Sequence, residues 1–114
     1  MSTEDTLIVI TRNGMGDAEP ELQQRLLGKW IELTLQNDQL PGALALYTNG
    51  VLAACEGSQA LEGLQALESK GVPVILCKTC IDAFDVADEV RVGIVGGMGD
   101  IIAAQTKAKK VVHL

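Results

Sequence analysis

From Thr6 to Thr11 the chain reads Thr-Leu-Ile-Val-Ile-Thr, an apolar and β-branched run with no polar alternation. Such a run predicts a strand buried on both faces. Asn13-Gly14-Met15-Gly16-Asp17 breaks it, and the pattern then changes period. Leu22, Leu26, Trp30 and Leu33 recur at helical spacing and give the next element one apolar face. Asp17 is placed to cap that helix, with Glu19 and Glu21 near its positive end, and Pro20 is tolerable in a first turn. Asn37-Asp38 and Pro41-Gly42 end it. A second strand is expected over residues 43–47, followed by a loop over 48–57 that contains Cys55. Ser58 can cap a helix whose Leu61, Leu64 and Leu67 share a face; Lys70, Gly71 and Pro73 close it. Residues 72–77 form the third expected strand, 79–84 a short helix, 90–95 a fourth strand, 99–108 a helix and 110–113 a last short strand.

Strands alternating with helices predict parallel βαβ units, hence an α/β fold with helices on both faces of a mostly parallel sheet. The 114 residues suffice for one domain and not for two, so a single domain over 1–114 is expected. In open parallel sheets, sites form at the carboxyl ends of the strands. Three features fall there: the Gly14/Gly16 loop, the loop bearing Cys55, and Cys77 itself.

Composition narrows the function. Hydrophobic residues make up 47% but aromatics only 3%, so the core must be aliphatic, and a chain this small leaves apolar surface available for subunit contact. A net charge of −6 disfavours nucleic acid, whose backbone needs a basic patch. Lys107, Lys109 and Lys110 cluster, either as a phosphate contact or as a solvated helix end. No apolar run approaches the roughly 20 residues of a membrane span. The polar, acidic start does not resemble a signal peptide, so the cytoplasm is expected, where Cys55, Cys77 and Cys80 would stay reduced.

Cys77-Lys78-Thr79-Cys80 carries the most chemistry. The first cysteine would end a buried strand and the second would lie in the first turn of a helix. Backbone N–H groups, the helix dipole and Lys78 would favour a thiolate there. The bland alternative is two small hydrophobes packed under a helix. A thioredoxin-like dithiol fits less well, since Leu76 rather than Trp precedes the motif. Zinc would lack a fourth ligand, with His113 the only histidine. Cys55 is either a third thiol of the site or a small loop residue. Gly14-Met15-Gly16 sits where phosphate loops occur, but is neither G-x-G-x-x-G nor a Walker motif, and Asp17 would repel phosphate. Gly96-Gly97-Met98-Gly99, with Asp100 as cap, reads the same way. Asp82, Asp85, Asp88 and Glu89 form a solvated face. No cofactor and no metal are expected.

The order of these pieces resembles the DsrE/DsrF-like family, and most closely the DsrE-like domain at the C-terminus of YedF-type proteins, described as sulfurtransferase-like and linked to selenium metabolism. The likeness runs through Ile10-Thr11-Arg12-Asn13-Gly14-Met15-Gly16-Asp17, Tyr47-Thr48-Asn49-Gly50-Val51, Glu56-Gly57-Ser58, Leu67-Glu68-Ser69-Lys70-Gly71-Val72, Cys77-Lys78-Thr79-Cys80-Ile81-Asp82 and Val92-Gly93. The resemblance implies a three-layer α/β/α fold with a sheet of about five strands. It also implies homo-oligomers, often trimers or hexamers. In some members a persulfide rides on a strand-end cysteine, the position of Cys77 here; Cys80 would tune that thiol or resolve the persulfide as a disulfide. Asn13, Gly14, Gly16, Cys55 and Lys78 would be accessory. Lys78 departs from the YedF-type pattern, which usually has Gly. The TusA-like domain that precedes this one in YedF-type proteins is absent from these residues, so the implied donor is a TusA-like partner in trans. Two other functions compete with sulfur relay: a non-catalytic oligomeric binding or regulatory module, and a dithiol oxidoreductase.

Overall fold

A computed structural model describes residues 3–114. Five strands form one all-parallel sheet: β1 (Thr6–Ile10), β2 (Ala43–Leu46), β3 (Val74–Cys77), β4 (Ile94–Gly96) and β5 (Lys110–His113), in the order β4-β3-β2-β1-β5. The register places Val9 against Ala45 and His113, Leu46 against Leu76, and Cys77 against Gly96. The interior strands are aliphatic because they are covered on both sides. Leu7 to Ile10, Leu44 to Leu46, Val74 and Leu76 are all buried.

Four α-helices connect the strands: α1 (Pro20–Gln36), α2 (Leu61–Ser69), α3 (Lys78–Phe84) and α4 (Met98–Lys107). The crossovers from β1 through β4 step in one direction, and the last returns past β1 to place β5 on the far side. With right-handed crossovers, that reversal sends α4 to the opposite face from α1, α2 and α3. The contacts agree: α1 packs on α2, whereas α4 lies over β2, β3 and β4. The α/β expectation holds, with three layers and five strands.

Several local readings change. Helix α1 starts at Pro20 with Glu19 at the capping position and no side-chain cap, so Asp17 does not cap it. Its inward face is Leu27 and Ile31, while Leu22, Leu26 and Leu33 are exposed and Trp30 half-buried. The helix carries aliphatic residues in more than one stripe, and periodicity alone cannot tell which stripe meets the sheet. Residues 48–54, expected as loop, form a 3-10 helix that buries Val51, Ala53 and Ala54. Ser58 accepts the Ala60 N–H at 3.1 Å, ahead of α2 rather than at its cap. Strand β4 begins only at Ile94. Before it, Arg91 N–H donates to the Ala54 carbonyl and Gly93 N–H to the Glu68 carboxylate, so these amides are spent away from β3. Asp100 does secure the start of α4, accepting the Gly97 N–H at 3.0 Å.

Candidate functional site

Strands β1, β2 and β3 end at one edge of the sheet. Ile10 is followed by Thr11, Leu46 by Tyr47-Thr48, and Cys77 directly by α3. The 3-10 helix folds back onto the end of β1. Its Gly50 is buried, and a Cβ there would run into the Ile10 carbonyl oxygen, so only glycine permits this approach. The Gly50 N–H donates to the Tyr47 carbonyl at 3.0 Å, and the Tyr47 N–H to the Ile10 carbonyl at 3.2 Å.

That packing fixes Thr48. Its φ is +49°, in the left-handed region that a β-branched residue rarely enters. Its Oγ1 lies 2.7 Å from the carbonyl oxygens of both Thr11 and Tyr47. Its backbone N–H donates to Cys80 Sγ at 3.1 Å. Cys80 sits near the start of α3 and is half-buried, whereas Cys77, the last residue of β3, is 1% exposed. All three cysteines are free thiols.

The electrostatics differ from the sequence expectation. Burial pushes the Cys80 thiol up; the Thr48 N–H pulls it down, and the Cys77 thiol, hydrogen-bonded beside it, pushes it up again. Burial wins, so Cys80 rests as a thiol. Lys78 does not act on it as a free cation. Its Nζ pairs with Asp82 Oδ2 at 2.6 Å along the exposed side of α3, a surface bridge worth about 0–1 kcal/mol.

The remaining candidates separate into other places. Cys55 is buried, and its thiol lies 3.5 Å from the Val51 carbonyl. Burial raises it, the Glu89 carboxylate adds to the rise, and Arg91 partly offsets it. Cys55 lines a shallow groove of about 310 Å³ with Asn13, Gln24, Leu52, Glu56 and Glu89. Asn13 and Cys55 therefore share one feature, while Cys77, Cys80 and Thr48 share another. The Gly14/Gly16 loop is tied to α1: Met15 N–H donates to the Gln23 carbonyl at 2.9 Å, and Gln23 Nε2 to the Gly16 carbonyl at 2.6 Å. A Cβ at Gly14 would run into Gln23, so that glycine serves helix packing. Among the described residues no group of three His, Cys, Asp or Glu side chains could hold a metal ion, and no helix is long and apolar enough to cross a membrane. Sequence reasoning missed Thr48. Its place after β2 was visible, but nothing in the sequence marks a threonine that will adopt a positive φ.

Three solved structures share this architecture. The ychN protein of E. coli is 29% identical, with a TM-score of 0.65 over 96% of this chain and 99% of its own. MTH1491 of Methanobacterium thermoautotrophicum, described as of unknown function, is 18% identical with a TM-score of 0.66 over 96% and 97% of the two chains. BT1422 of Bacteroides thetaiotaomicron, a conserved protein also described as of unknown function, is 17% identical with a TM-score of 0.62 over 100% and 98%. The last two support the fold alone. No curated protein sequence matches. The pattern of the DsrE/DsrF-like family matches residues 31–114, which include Thr48, Cys77 and Cys80. The chain belongs to the DsrE/DsrF-like family.

Proposed function

We propose that the protein is a sulfur-relay subunit that carries a persulfide on Cys77, with Cys80 as the second thiol of the same site. The observation that carries this reading is the meeting of three groups at the carboxyl edge of the sheet: the buried Cys77, the half-buried Cys80, and the Thr48 amide 3.1 Å from the Cys80 sulfur. The Thr48 N–H works against the burial that keeps Cys80 protonated, and it stabilises the thiolate, the nucleophile in thiol chemistry, once that forms. Membership of a family that includes sulfur-relay proteins supports the same reading.

The donor is a persulfide on another protein in the cytoplasm, and the finer likeness to the C-terminal domain of YedF-type proteins points to a TusA-like carrier in trans. Exchange needs no cofactor: a thiolate displaces a thiol from sulfane sulfur. The test is intact mass after exposure to glutathione persulfide. The native protein gains one sulfur atom, and the Cys77→Ser/Cys80→Ser double variant gains none. A protein that forms a Cys77–Cys80 disulfide, and in which neither Cys77→Ser nor Cys80→Ser ever gains sulfur, is a dithiol oxidoreductase. One that remains unmodified is a binding module whose cysteines merely pack.

A further inference from the structure

We propose that Cys80 is the thiol that meets the sulfur donor, and that Cys77 receives the sulfur from Cys80 in a second, internal transfer. This rests on the sulfur-relay reading above and assigns an order to its two thiols. The geometry of displacement at sulfur carries it. Attacking sulfur, sulfane sulfur and leaving sulfur must lie nearly in line, so the donor's body has to stand directly in front of the attacking thiolate. Cys77 is 1% exposed and belongs to the aliphatic core cluster with Leu76 and Ile81. No second macromolecule can occupy the line in front of it without α3 moving. Cys80 stands on α3 with one side open.

The second observation is Thr48. A β-branched residue at φ 49° is strained, and strain of this kind persists only where the surroundings enforce it. Here the Oγ1 contacts to Thr11 and Tyr47 and the seat of Gly50 on β1 enforce it. The result is one N–H held on Cys80 Sγ. The third is adjacency: Cys77 stands at the N-cap position of α3 and Cys80 three positions on, the spacing that sets side chains beside each other on a helix, so sulfur has a short path between them.

The two steps balance. Cys80, which rests as a thiol, gives its proton to solvent, and its thiolate attacks the outer sulfur of a donor persulfide R–S–SH. The donor's S–S bond breaks, a Cys80–S–SH bond forms, and the donor leaves as thiolate. Cys77, giving its proton to solvent or to the leaving thiolate, then attacks the outer sulfur of the Cys80 persulfide. A Cys77–S–SH bond forms as the Cys80 bond breaks, and Cys80 leaves as a thiolate under the Thr48 N–H. Neither step consumes an oxidant or a reductant, because the sulfane sulfur keeps its oxidation state throughout. Discharge to an acceptor thiol reverses the order. The cargo rests on the buried thiol, away from stray reductants, and is exposed only on the outer one.

The sequence makes the order readable. Cleavage after Lys78 puts Cys77 and Cys80 in different tryptic peptides. Glutathione persulfide is mixed with native protein, the reaction is quenched with iodoacetamide at increasing times, and the persulfide is located by peptide mass. It is expected first on Cys80 and later on Cys77. Cys80→Ser is expected to load on the order of tenfold more slowly than native protein or worse. Cys77→Ser is expected to hold persulfide on Cys80 alone and to lose that sulfur to dithiothreitol on the order of tenfold faster than native protein. Persulfide appearing first on Cys77, or Cys80→Ser loading at the native rate, overturns the order while leaving sulfur relay standing. Native protein that never loads overturns both. Should either variant misfold by circular dichroism, the time course in native protein decides alone.

Discussion

At the scale of single residues, Thr48 does what its sequence position did not advertise. Its one hydroxyl proton is shared between the Thr11 and Tyr47 carbonyls, just past the ends of β1 and β2, and its amide faces Cys80. Thr48→Val keeps the shape and removes that one donor, while the Tyr47 carbonyl keeps the Gly50 N–H. A loss of about 1–2 kcal/mol is expected, read as a lower urea midpoint at unchanged m-value. An unchanged midpoint would mean that the hydroxyl does not hold the turn. Cys55 gives a second test. Burial and Glu89 raise its thiol in the folded protein above the roughly 8.5 of an unfolded cysteine. Below that pH both states are protonated and the full stability is present. As pH climbs past it, the unfolded chain ionises first and stability falls until the folded thiol also ionises. Urea midpoints between about pH 7 and pH 10 should therefore decline, and less steeply in Cys55→Ala. An equal slope in the two proteins would contradict the assignment. Residues whose role depends on composition were legible, as with the cysteines. Roles that depend on backbone conformation or on burial were not: Thr48 was read as loop, and Cys80 was read as a stabilised thiolate although burial raises it.

At the scale of elements, existence and type were largely readable, because aliphatic runs and helical spacing are local properties. The errors sit where amides bond outside a ladder. Residues 90–93 are as β-prone as a strand, yet Arg91 bonds to Ala54 and Gly93 to Glu68, so β4 starts late. The 3-10 helix is a similar case: Tyr47-Thr48-Asn49-Gly50 looks like a turn, and only the seat of Gly50 against Ile10 converts it into a packed element. Gly50→Ala should therefore act on the element as a whole. The added methyl has no room against the β1 carbonyl, and the expected cost is about 1–3 kcal/mol. Because the 3-10 helix also carries Thr48, the N–H on Cys80 should be displaced with it. Iodoacetamide labelling of Cys80 at fixed pH reports this, and a labelling rate equal to native would show that the amide does not depend on Gly50.

At the scale of the whole molecule, the sequence pointed to parallel βαβ units but was silent on strand order. Nothing local records that β5 crosses back to pair with β1, since that depends on α4 choosing the other face. The reversal leaves β4 as an edge strand whose outer side is unpaired. Among the described residues Ile94 is the most exposed large hydrophobic, at 68%, and Val95 on β4 and Met98 and Ile102 on α4 are exposed as well. The stretch from Val92 to Gly99 contains no charged residue, and the first acid beyond it, Asp100, is turned onto the Gly97 N–H, so a second copy meets little like-charge repulsion despite the net charge of −6. The competing apolar stripe on α1 is interleaved with the solvated ion pairs Arg25–Glu21 and Lys29–Glu32. A standard interface takes about 800 Å² from each partner, roughly an eighth of this chain's 6399 Å². We therefore expect a homo-oligomer built on β4 and α4. Light scattering should give a multiple of 12.1 kDa at micromolar concentration, and Ile94→Lys should shift it toward the monomer, since a buried unpaired charge is costly. Leu26→Lys, on the α1 stripe, should leave the mass unchanged. A native protein that stays monomeric on concentration removes the oligomer. A native oligomer broken by Leu26→Lys but not by Ile94→Lys moves the interface to α1.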